Sequence, residues 1–111
     1  MLQEYITNLY SYKNKMPQLI GHLSIENLKH FLDGTLFTLK LCGHHDVVSV
    51  LTRPWWDYVY LYYGIDPYAT TVGWYIVIRE HSKNEEEAIQ MFFILLKKYL
   101  SEYYPDIAVP E

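Results

Sequence analysis

The chain has 111 residues, half of them hydrophobic and a fifth charged, with a net charge of −4. That size suits one domain, residues 1–111, able to bury a core without metal or disulfide staples, and the composition excludes a disordered chain. The lone cysteine, Cys42, excludes an intrachain disulfide.

The first predicted element is an amphipathic helix over residues 2–13, with Leu2, Tyr5, Ile6, Leu9 and Tyr10 at helical spacing. Met16-Pro17 is expected to end it, because a residue before proline avoids the α region. Ser24 then reads as an N-cap, with Glu26 beside the positive end of the helix dipole. Ile25, Leu28, Leu32, Leu36 and Leu39 carry one register through Gly34, which predicts a helix from Ser24 to Leu41. The alternative stops at Gly34 and makes Phe37 to Leu41 a strand. Gly43 to Asp46 reads as a loop, followed by a short apolar piece, Val47 to Leu51. Thr52-Arg53-Pro54 opens a helix that runs to Tyr63 and ends at Gly64.

Trp74 to Ile78 has strand-like composition, yet Thr71 could cap a short helix burying Trp74, Val77 and Ile78. The last helix has two equivalent capping signals, Asn84 with Glu87 and Ser82 with Glu85. Its apolar face runs from Ala88 to Leu100, Pro105 stops it, and residues 105–111 are expected to fray. The sum is a mainly α, single compact domain of about five helices, with an α+β domain carrying a small antiparallel hairpin as the alternative.

The charge is unevenly placed. Residues 1–53 carry +1 and residues 54–111 carry −5. This disfavours direct nucleic-acid binding, which needs a basic surface, and favours a basic protein partner. The start of the chain lacks a basic region followed by an apolar run, and the longest apolar stretch, Met91 to Leu96, is too short to span a bilayer. The expectation is a soluble, intracellular protein with no membrane partner.

Two clusters could carry chemistry. Cys42-Gly43-His44-His45-Asp46 offers zinc-ligand types, and Cys42 with His44 or His45 could form a thiol centre. No second ligand pair accompanies them, so the reading is a loop, with no metal, no cofactor and no catalytic residue. The alternative is a small metal or thiol enzyme using Cys42, His44 and His45. The second cluster, Trp55 to Tyr63, holds six aromatics around Asp57. One stripe, Trp55, Tyr58 or Val59, and Tyr62, is expected inward. Trp56, Tyr60 and Tyr63 fall on another face. With Asp57, Asp66 and Tyr68 they form the predicted partner-binding set, because desolvated aromatics flanked by acids make binding hot spots.

Two blocks carry a family resemblance. The first is Pro17-Gln18-Leu19-Ile20-Gly21 through Ser24, Leu28, Phe31-Leu32 and Gly34; the second is Trp74, Ile76 to Ile78, and Ser82 to Leu96. Together they resemble the immunity proteins of bacterial polymorphic toxin systems, including contact-dependent growth inhibition. The resemblance implies a helical fold. It also implies a cytoplasmic protein, not an enzyme, that binds and neutralises the C-terminal domain of a cognate toxin, expected to be a nuclease. Thr35 follows Gly34 where that pattern more often has an aromatic, and the Trp55 to Tyr63 run is this chain's own.

Overall fold

The computed structural model describes residues 1–110 and is helical throughout: six helices and one isolated turn, with no strand among the described residues. In chain order these are α1 (Leu2–Ser11), the single turn α2 (Pro17–Ile20), α3 (Ile25–Leu41), α4 (His45–Val50), α5 (Arg53–Tyr62), α6 (Trp74–Glu80) and α7 (Glu85–Tyr103). The α+β alternative is thereby excluded, because Phe37 to Leu41 continues α3 and Trp74 to Ile78 is the body of α6.

Local chemistry explains the helix ends. Ser24 Oγ accepts the Asn27 amide at 2.9 Å, and Asn84 Oδ1 accepts the Glu87 amide at 2.8 Å. Ser82 does not cap, since its hydroxyl donates to Ile78 O. Two helices end on a left-handed glycine in a Schellman motif. After α3, Gly43 (φ 83°) lets the His44 amide reach Leu39 O at 2.9 Å. After α5, Gly64 (φ 73°) lets the Ile65 amide reach Tyr60 O at the same distance.

Three local expectations are corrected. Helix α1 ends at Ser11, before Met16-Pro17. The chain leaves it through tight turns in which the Tyr12, Lys13 and Lys15 amides each reach back three residues, and Pro17 starts the turn α2. His45 and Asp46 belong to α4 rather than to a loop, because the Gly43 turn re-aims the chain early. Thr71 does not cap α6; Gly73 takes that position without a side-chain cap. In the 105–110 segment, Gln3 and Ala108 exchange two hydrogen bonds of 2.8 Å, and Ile107 and Val109 pack on the core. Glu111 lies outside the described residues.

The core is built around α7, whose Ala88, Ile89, Phe92, Phe93, Leu95, Leu96, Tyr99 and Leu100 are all buried. Each such Leu, Ile or Phe contributes about 1.5–3 kcal/mol by leaving water. Trp55 of α5 is enclosed by Trp74, Phe92 and Tyr99 at ring-centroid distances of 5.5, 5.6 and 5.7 Å. These are edge and tilted contacts of the kind aromatic quadrupoles favour. The Trp55 indole N–H has no acceptor among the described residues, a cost set against that packing. Buried tyrosines place their hydroxyls on carbonyls: Tyr10 on Phe93 O at 2.9 Å and Tyr99 on Val50 O at 2.7 Å.

Carboxylates from other helices complete two helix N-termini. Asp46 of α4 accepts the Leu2 amide of α1 at 2.9 Å. Glu85 of α7 accepts the Ile25 amide of α3 at 2.9 Å and pairs with Arg79 of α6. The helices are thus joined at their polar ends as well as through the core. Among the described residues, no helix is long and apolar enough to cross a membrane.

Candidate protein-binding groove

Between α3, the α4–α5 pair and the start of α6 runs an open groove of about 840 Å³. One wall is a stripe along α3: Lys29, Asp33, Leu36, Phe37 and Lys40. The facing wall is Val48, Thr52, Trp56 and Tyr60, spaced four residues apart across α4 and α5. Val72, Gly73 and Ile76 close the third side.

The groove is apolar and accessible. Phe37 is 63% exposed, and Val72 and Ile76 are also exposed. Leu41, one helical turn beyond Phe37, is 71% exposed. Charge is balanced along the rim. Lys29 pairs with Asp33 at 2.7 Å and stands over the Tyr75 ring, which leaves Lys40 and Glu80 without ion pairs among the described residues.

The predicted partner-binding residues do not form one face. Trp56, Tyr60 and Tyr63 do share a side of α5, but that side turns toward the body of the protein. Trp56 is half-buried in the groove wall. Tyr60 is buried, its hydroxyl donating to Val72 O, so it anchors the 64–73 loop instead of offering a free contact. Tyr63 is half-buried against the His81 ring, 4.4 Å away, outside the groove. The stripe expected inward is also divided. Trp55 and Val59 are buried, Tyr58 is half-buried, and Tyr62 is exposed.

Asp57, Asp66 and Tyr68 gather beside the groove around Arg53. Asp57 pairs with Arg53 at 2.9 Å, which cancels much of the field expected from that acid. Arg53 also lies 5.2 Å from the Tyr68 ring centroid and donates to Pro67 O. Asp66 Oδ1 accepts the Tyr68 amide at 2.9 Å, fixing the turn. Tyr68 is 87% exposed, so a large apolar ring is held in water by a braced loop.

Sequence reasoning missed Phe37, Leu41 and Ile76. The signal was there: Phe37 and Leu41 fall off the Ile25–Leu28–Leu32–Leu36 register that buries α3. An apolar pair off the buried stripe of a helix must face water or a partner.

The Cys42 cluster occupies the α3–α4 turn. Cys42 is exposed at the C-cap of α3. His44 precedes α4 and His45 is exposed in its first turn. Among the described residues, no three His, Cys, Asp or Glu side chains converge as a metal site. No protein-family model matches this chain, no curated protein matches it, and no solved structure matches it.

Proposed function

We propose that this protein is an immunity protein. It binds the C-terminal domain of a cognate bacterial toxin, a basic nuclease, and neutralises it in the cytoplasm without turning over a substrate. The observation that carries the reading is the apolar groove with Phe37 and Trp56 on facing walls. An accessible apolar surface with aromatic anchors and a polar rim is the chemistry of a protein contact, and such anchors dominate its affinity. The sequence resemblance supplies the class of partner. Tyr68 extends the contact past the groove, held ready by Arg53 and Asp66, so little ordering cost falls on binding. Long-range steering of a basic partner falls to Asp66 and the acidic second half of the chain, since Arg53 neutralises Asp57.

The test is coexpression with the toxin encoded immediately upstream, followed by calorimetry with wild type, Phe37→Asp and Trp56→Ala. Wild type should bind tightly and restore growth. Each variant should weaken binding by about thirtyfold or more, roughly 2 kcal/mol. A wild-type chain that neither binds nor protects removes the functional reading. Tight binding by both variants removes the groove as its site.

A further inference from the structure

Away from the groove, the C-terminal ends of α5 and α6 meet α7 around a smaller pocket of about 200 Å³. Its walls are aromatic. The Tyr63 ring stacks on His81 at 4.4 Å and 30°, and the Tyr62 ring stands nearly perpendicular to it at 5.0 Å and 82°. Met91 adds a polarisable apolar side.

Of the polar lining, His81 and Ser82 have spent their donors within the protein, while the Gln90 amide and the Tyr62 and Tyr63 hydroxyls can each donate or accept. His81 Nδ1 lies 2.8 Å from Val77 O. A carbonyl can only accept, so Nδ1 carries the proton and the neutral ring's Nε2 is left as an acceptor. Ser82 Oγ donates to Ile78 O at 2.7 Å, which leaves lone pairs on that oxygen. Glu87 lends one carboxylate oxygen to the Lys83 amide at 3.3 Å, and its other oxygen has no partner among the described residues. A carboxylate, an imidazole acceptor, a hydroxyl oxygen and aromatic rings suit a flat cation that only donates hydrogen bonds. Guanidinium has that chemistry, because it is planar, stacks on rings and carries five donors.

We propose that this pocket receives an arginine side chain from a protein partner. The assignment goes beyond the neutralising role and stands whether or not the groove binds a toxin. It is tested without any partner, by an NMR titration at pH 8 that follows the ring signals of Tyr62, Tyr63 and His81. The probe is N-acetyl-arginine methylamide, the neutral control its citrulline counterpart, and the third ligand free L-arginine. The blocked arginine should give saturable shifts with a dissociation constant on the order of 10 mM, and citrulline should bind about tenfold more weakly, since charge-assisted hydrogen bonds are the stronger ones.

Glu87→Gln keeps an acceptor for the Lys83 amide while removing the charge, and it should lower affinity about fivefold with unchanged circular dichroism. Tyr62→Leu, at an exposed ring, should lower it by a similar factor. Equal binding of arginine and citrulline, or Glu87→Gln binding like wild type, would overturn the site. Free L-arginine binding tenfold more tightly than the blocked residue would make the ligand a free amino acid and overturn the assignment to a protein partner.

Discussion

Tyr99 shows how one atom can set the cost of a substitution. Its ring lies among Trp55, Tyr58 and Tyr104, and its hydroxyl reaches Val50 O from the opposite helix. Burial pushes that phenol well above the usual tyrosine range, so it stays a donor across ordinary pH. Tyr99→Phe keeps the ring and orphans the carbonyl. Urea unfolding should therefore show a loss of about 1–2 kcal/mol, the desolvation penalty of one unpaired buried acceptor. An unchanged midpoint would mean that water reaches Val50. At this scale the sequence was legible in part. Nine of the twelve tyrosines are buried or half-buried, in keeping with a bulk role in the core. A helical wheel put Trp56, Tyr60 and Tyr63 on one side of α5. It could not say that this side faces α6, because orientation is decided by neighbours distant in sequence. The Arg53–Asp57 pair was legible in principle from its i, i+4 spacing.

At the scale of elements, the long helices were the legible ones. The α3 register persists through Gly34, where an added Cβ would meet nothing within 4 Å, so the glycine interrupts no packing. Ser24 and Asn84 cap as their sequence context implies, whereas α4 and α6 were harder to read. Each has fewer than eight residues, too short for periodicity to speak, and each is held by contacts with neighbouring helices. Capping across helices was invisible for the same reason, since Asp46 lies 44 residues from the amide it accepts. The Leu2 amide holds the Asp46 carboxyl below its ordinary value of 3.8. A depressed carboxyl pKa stabilises the fold at pH values above the unfolded pKa, and that contribution is lost as pH falls through the folded value. Asp46→Asn should therefore lower the urea midpoint at neutral pH. The difference should vanish as the solution is taken below pH 3.8 and through the folded pKa. A gap that persists unchanged under strong acid would show that the charge is not what α1 relies on.

Across the whole molecule, the helical class was legible because local signals agreed, while the placement of the surfaces was not. The groove draws one wall from α3, a second from α4 and α5 and a third from α6, and no single segment announces it. Its exposed residues are conspicuous only once the buried register of α3 is known. The clasp between Gln3 and Ala108 ties positions 105 residues apart in sequence. A segment whose residues 3 and 108 already touch is close to a closed ring, and the point at which a ring is cut is topologically arbitrary. Residues 14 and 15 lie in an exposed turn clear of the groove and of the Tyr62–Tyr63–His81 pocket. Cutting there and bridging the original ends with a short flexible linker turns α1 into the last helix of the chain. Such a circular permutant should refold with the same helical circular dichroism and a stability within about 1 kcal/mol of the parent, because cuts at exposed turns cost few contacts. A molten product would show instead that α1 must be connected directly to α2.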